Sequence, residues 1–87
     1  MDVNGTIGVD AVKAVVVETL GVEDRASAIG ADTPLLGALP ELDSMAVLEL
    51  VLELERRFGI TVEDDDVTAE TFETLGSLTA FVEAKAR

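Results

Sequence analysis

The chain has 87 residues, 18 acidic against 6 basic for a formal net charge of −12, and it contains neither Cys nor His. That charge disfavours nucleic acid and anionic membranes as partners and favours a protein with a basic patch. The missing Cys and His exclude disulfides, thiolate chemistry, cysteine metal sites and a Ser-His-Asp nucleophile, so no catalytic residue is expected.

Hydrophobic residues make up 48% of the chain and its only aromatics are three Phe, so the core must come from Val, Leu, Ile and Ala within one domain over 1–87. No apolar run reaches the roughly 18 residues of a membrane span, and no secretory pattern opens the chain. The default expectation is a cytoplasmic monomer.

The chain begins with a lead-in over 1–6 that contains the turn pair Asn4-Gly5. A first helix is predicted over 8–20. Val9, Val12, Val15, Val16 and Leu20 recur at helical spacings and Gly21 suits the C-terminal cap, which outweighs the strand preference of Val15-Val16-Val17. The segment 21–43 carries Gly21, Gly30, Gly37, Pro34 and Pro40, too much punctuation for a long regular element. Leu35, Leu36, Leu39 and Leu42 supply packing for an ordered loop, which leaves room for a helical turn near 23–29.

A second helix is predicted over 44–58, a stretch free of Pro and Gly that stops at Gly59. At about 100° per residue, Val47, Leu50, Val51, Leu54 and Phe58 share its core face. Beyond it the acids Glu63-Asp64-Asp65-Asp66 precede a short third helix over 65–70, where negative charge suits a helix start. The contiguous acids lack the alternating ligands and central Gly of a calcium loop, so no metal site is expected. A closing helix over 75–86 repeats Leu75, Leu78, Phe81 and Val82 and ends near Lys85 and Arg87. Thr74 is its cap, without the full capping box because Ser77 stands where Glu would. The fold class is therefore all-α, a small bundle of three main helices plus one short helix, with a long ordered loop between the first and second.

Two features of the 44–58 helix point to function. Asp43 is placed to cap its first free N–H groups, which leaves the Ser44 hydroxyl presented at the helix mouth. A second apolar stripe, Met45, Leu48 and Leu52, lies away from the core face, interleaved with Glu49, Glu53 and Arg56. A chain this small supplies one core, so the surplus stripe is expected to dock another protein with those acids as its charged rim.

The Asp43-Ser44-Met45 triplet opening an acidic amphipathic helix near mid-chain resembles the phosphopantetheine attachment site of acyl carrier and peptidyl carrier proteins. The resemblance runs over nearly the whole chain. It implies a 4'-phosphopantetheine arm joined covalently to Ser44, Asp43 helping the modifying transferase to hold magnesium and coenzyme A, and Met45, Leu48, Glu49, Leu52 and Glu53 as partner-binding positions. It also implies that the chain is no enzyme, but shuttles acyl or aminoacyl groups between loading and condensing enzymes with basic docking patches, after arming by a phosphopantetheinyl transferase. Fatty-acid-like, polyketide, nonribosomal peptide or other specialised biosynthesis are the expected settings.

The chain departs from the family pattern at a few positions. Leu42 stands two residues before Ser44, where many members have a glycine, and Met45 replaces the usual Leu. Ala46 stands where fatty-acid carriers usually have an acid, and Arg56-Arg57 adds positive charge late in the helix. An acidic helical adaptor without a prosthetic group, and an acid-rich metal-binding module, are the alternatives.

Overall fold

The computed structural model describes residues 7–38 and 42–86. The Asn4-Gly5 turn, Leu39, Pro40, Glu41 and Arg87 lie outside the described residues. Within them the fold is all-helical, with α1 at Val9–Leu20, a one-turn α2 at Leu35–Ala38, α3 at Ser44–Phe58 and α4 at Leu75–Ala86.

Spacing explains where the long helices lie. α1 buries Val12, Val15, Val16 and Val17, and its β-branched run stays helical because these side chains meet α3 and α4. α3 buries Ala46, Leu50, Val51 and Leu54, while Val47 and Phe58 are half-buried. α4 buries Leu75, Leu78 and Val82, with Phe81 at the margin. Ala46, Val17 and Thr79 join the core beyond the residues that periodicity singles out; the Thr79 hydroxyl is satisfied by donating to the Leu75 carbonyl at 2.8 Å. Both α1 and α3 end on glycines in the left-handed region, Gly21 at φ 68° and Gly59 at φ 65°, a conformation that costs other residues a steric clash.

Among the described residues between α1 and α3, a 3₁₀ turn spans Glu23–Ala28. Val22, Ile29, Leu35 and Leu42 are buried, whereas Leu36 faces solvent. Backbone bonds join this loop to the start of α4: Leu35 N–H to the Glu73 carbonyl at 2.9 Å and Gly76 N–H to the Ala31 carbonyl at 2.8 Å. A Cβ at Gly76 would lie 3.1 Å from that same Ala31 oxygen, so a larger residue there would press the carbonyl back by a few tenths of an ångström.

The short helix expected over 65–70 does not form. Its place is taken by a three-residue 3₁₀ turn, Asp64–Asp66, followed by turns through 72. Side chains compete for the backbone groups that a helix would use: Asp66 accepts from Glu63 N–H at 3.0 Å, Thr68 from Thr71 N–H at 3.1 Å, and Thr71 donates to the Asp66 carbonyl at 2.9 Å. The cap of α4 also differs from expectation. Ser77 accepts from Thr74 N–H and Thr74 from Ser77 N–H, both at 3.0 Å, so serine closes the reciprocal capping pair in place of glutamate.

Truncation on the two faces of α3 should have unequal costs. Leu50→Ala, at a site with no solvent exposure, is expected to destabilise the protein by about 2–5 kcal/mol in chemical denaturation. Leu48→Ala, on the exposed face, should stay within about 0.5 kcal/mol of wild type.

Candidate functional site

The site is built where the loop delivers the chain into α3. Asp43 has an extended backbone, and its Oδ1 accepts from Ala46 N–H at 2.9 Å while its carbonyl accepts from Val47 N–H at 2.9 Å. This cap sets Ser44 as the first helical residue, exposed, with its hydroxyl free of hydrogen bonds to the described residues. The described residues that line the groove beside it include carboxylates but no Lys or Arg.

From Ser44 an open groove of about 560 Å³ runs between α3 and the segment after it. Val47, Leu48, Val51 and Leu52 form one side; Val62 and Val67 form the other, with Glu55, Glu63 and Asp64 as its carboxylates. The α3 members follow from helical spacing, because residues 44, 47, 48, 51, 52 and 55 form one continuous row. In the sequence that row divides, with Val47 and Val51 on the core face and Leu48 and Leu52 on the outer stripe, and Glu55 was not singled out. The opposite wall was not legible in sequence, since it depends on how the chain folds back after Gly59. Three polar ties hold that wall: Glu55 Oε2 accepts from Val62 N–H at 2.8 Å, Asp66 from Glu63 N–H, and Lys85 Nζ of α4 lies 2.8 Å from Asp66 Oδ2.

On the outer face, Met45, Leu48 and Leu52 are 66%, 55% and 56% exposed. Leu48 and Leu52 serve both the stripe and the groove, so the two surfaces meet along one edge of α3. Glu49 is exposed and has no ion-pair partner among the described residues. Glu53 is placed differently: its Oε1 lies 2.7 Å from Arg56 Nη2 and 3.3 Å from Arg57 Nε, and Arg57 Nη2 reaches Glu18 of α1 at 2.7 Å. The hydrogen bond from Arg56, then the field of both guanidiniums, holds the Glu53 carboxyl below the usual carboxylate range.

The family model for the phosphopantetheine attachment site matches residues 10–82. The chain belongs to the acyl carrier protein family. Its fold is similar to the solution structure of a holo acyl carrier protein from Nitrosomonas europaea, at 45% identity and a TM-score of 0.81, covering 88% of this chain and 93% of that one. A curated acyl carrier protein from Exiguobacterium is 46% identical over 43 residues, and the match spans 49% of this chain and 52% of that relative. The prosthetic group of this carrier protein is 4'-phosphopantetheine, and as a carrier it is not an enzyme.

The site's own geometry fits such a group. The exposed hydroxyl stands at the N-terminus of a 15-residue helix, where free N–H groups and the positive end of the dipole favour a phosphate. The groove beside it has the apolar lining that a flexible arm and its cargo need to leave water. Among the described residues no cluster of acids is arranged to hold a metal ion, and no helix is long and apolar enough to cross a membrane.

Two measurements test this construction. Asp43→Ala should cost about 1 kcal/mol in denaturation by removing the cap, and Asp43→Asn should recover most of it. The second concerns the groove wall. The hydrogen bond from Lys85, then that from Glu63 N–H, lowers the Asp66 pKa. A folded-state pKa below the unfolded value means that this contribution is complete above the unfolded value, near pH 4, and is lost as pH falls through the folded one. The gap in melting temperature between wild type and Asp66→Asn should thus be constant from about pH 7 to 5 and close below about pH 4.

Proposed function

We propose that Ser44 bears the 4'-phosphopantetheine arm and that the protein shuttles acyl or aminoacyl groups between biosynthetic enzymes. The single observation that carries this reading is the exposed, capped and unengaged Ser44 hydroxyl at the head of an apolar groove. When bound, the arm supplies the terminal thiol that holds cargo as a thioester. The chain's own residues do the rest. Asp43 holds the helix start in shape, the N-terminal N–H groups of α3 face the phosphate, and Val47, Leu48, Val51, Val62 and Val67 offer an apolar bed that excludes water from cargo. A smaller recess of about 210 Å³ shares Val47 and Val67 with this groove and extends it to Leu36 and Phe72.

Met45, Leu48 and Leu52 form the surface that partner enzymes meet, with Glu49 as its clearest negative charge. The partners are the phosphopantetheinyl transferase and the loading and condensing enzymes of a fatty-acid-like, polyketide, nonribosomal peptide or other specialised pathway, encountered in the cytoplasm by a monomeric carrier. A net charge of −12 steers such encounters towards basic docking patches and makes them sensitive to salt.

Intact-mass measurement after co-expression with a broad-range phosphopantetheinyl transferase tests the assignment. Wild type should gain one phosphopantetheine and Ser44→Ala none. No gain in either protein would favour an adaptor that docks through the same stripe without a prosthetic group.

A further inference from the structure

The stripe on the outer face of α3 does not end at Leu52. Arg56 follows one turn later, and at about 100° per residue it falls within about 40° of Met45, Glu49 and Leu52. Its side chain is 71% exposed. Next to it the acid that flanks the stripe, Glu53, is already engaged by two guanidiniums, and Glu18 completes a cluster of two cations and two anions whose net charge is zero.

On a chain of net charge −12 the docking face is therefore uneven. Near Ser44 it is negative, with Asp43 and Glu49, and across the groove Glu63 and Asp64. At its far end it is locally neutral and presents an exposed guanidinium. A cleft of about 420 Å³ between α1 and α3 runs beside it and is lined by Glu49 and Leu52 as well as Arg56 and Arg57, so both signs of charge border the same depression.

We infer that Arg56 is a specificity-determining residue of the docking face, selecting enzymes that set an acidic side chain against it and a basic one against Glu49, and disfavouring enzymes whose docking patch is basic throughout. The inference rests on the reading of Ser44 and its stripe given above. The physical basis is complementarity: a like charge set against a docking cation is repulsive, and such repulsion separates partners that share the same apolar contact. Arg57 does not serve this purpose, because it is committed to Glu18 and Glu53 and ties α1 to α3.

The probe is a broad-range phosphopantetheinyl transferase with a basic docking face, assayed with coenzyme A for kcat/KM on the intact protein. Arg56→Glu should raise kcat/KM roughly three- to tenfold at low salt, Arg56→Gln should fall between, and the gain should shrink at high salt. Lys13→Glu makes the same change in net charge on α1, away from the stripe, and should give a much smaller gain. Replacing a docking-face Arg or Lys of the transferase with Glu should invert the order, so that wild type is preferred over Arg56→Glu. Circular dichroism of each variant verifies the fold. Equal effects of Arg56→Glu and Lys13→Glu, or no inversion with any such transferase variant, would overturn the inference. Failure of the transferase to modify wild type and every variant alike would instead overturn the assignment of Ser44, and the inference with it.

Discussion

Leu50 and Leu54 are fully buried between α3 and the other long helices, and what α3 presents to solvent depends on this inner row. A helix with apolar side chains on two faces is stable in water as a monomer only when one face binds strongly enough to fix its rotation. The inner row does so with side chains that are aliphatic apart from Phe58, packed with the valines of α1 and the leucines of α4 in one core. With rotation fixed from inside, Met45, Leu48 and Leu52 remain outside, and Ser44 is fixed at the edge between the two faces.

Charge shapes the same arrangement. With 18 acids on 87 residues, self-repulsion opposes compactness, and two of the cations, Arg57 and Lys85, join separate elements. Arg57 links α3 to α1 through Glu18, and Lys85 links α4 to the turn at Asp64–Asp66. These pairs are partly exposed, so each is weak in isolation. Their value lies in position: one braces the helix that carries the exposed apolar stripe, the other the segment that walls the groove.

The three long helices were legible in the sequence because their apolar residues recur at three and four, and their ends because Gly21 and Gly59 stop them and Asp43 starts α3. The outer stripe was legible for the same reason, as a surplus of Met45, Leu48 and Leu52 over what one core consumes. The 64–72 segment was not. Its acids suggest a helix start by the dipole argument, but Asp66, Thr68 and Thr71 spend their side chains on local backbone groups and hold turns instead. The capping pair of Thr74 and Ser77 was missed because the usual pattern asks for Glu or Gln, while a serine hydroxyl reaches the same N–H here. Glu55 and Arg57 were invisible as partners of Val62 and Glu18, since periodicity says which face a residue takes but not which neighbour folds against it.

The groove unites these levels. Its α3 side is regular and follows from helical spacing, while its other side is irregular and is held by hydrogen bonds rather than by a helix. On that wall Val62 is half-buried and Val67 exposed, whereas Leu50 and Leu54 in the helical core are fully buried. Ser44 lies on the rigid side, at the end of a 15-residue helix whose cap and core face are both satisfied. The two sides of the groove thus differ in how they are held, one by a capped and packed helix and the other by local hydrogen bonds, and Ser44 belongs to the first.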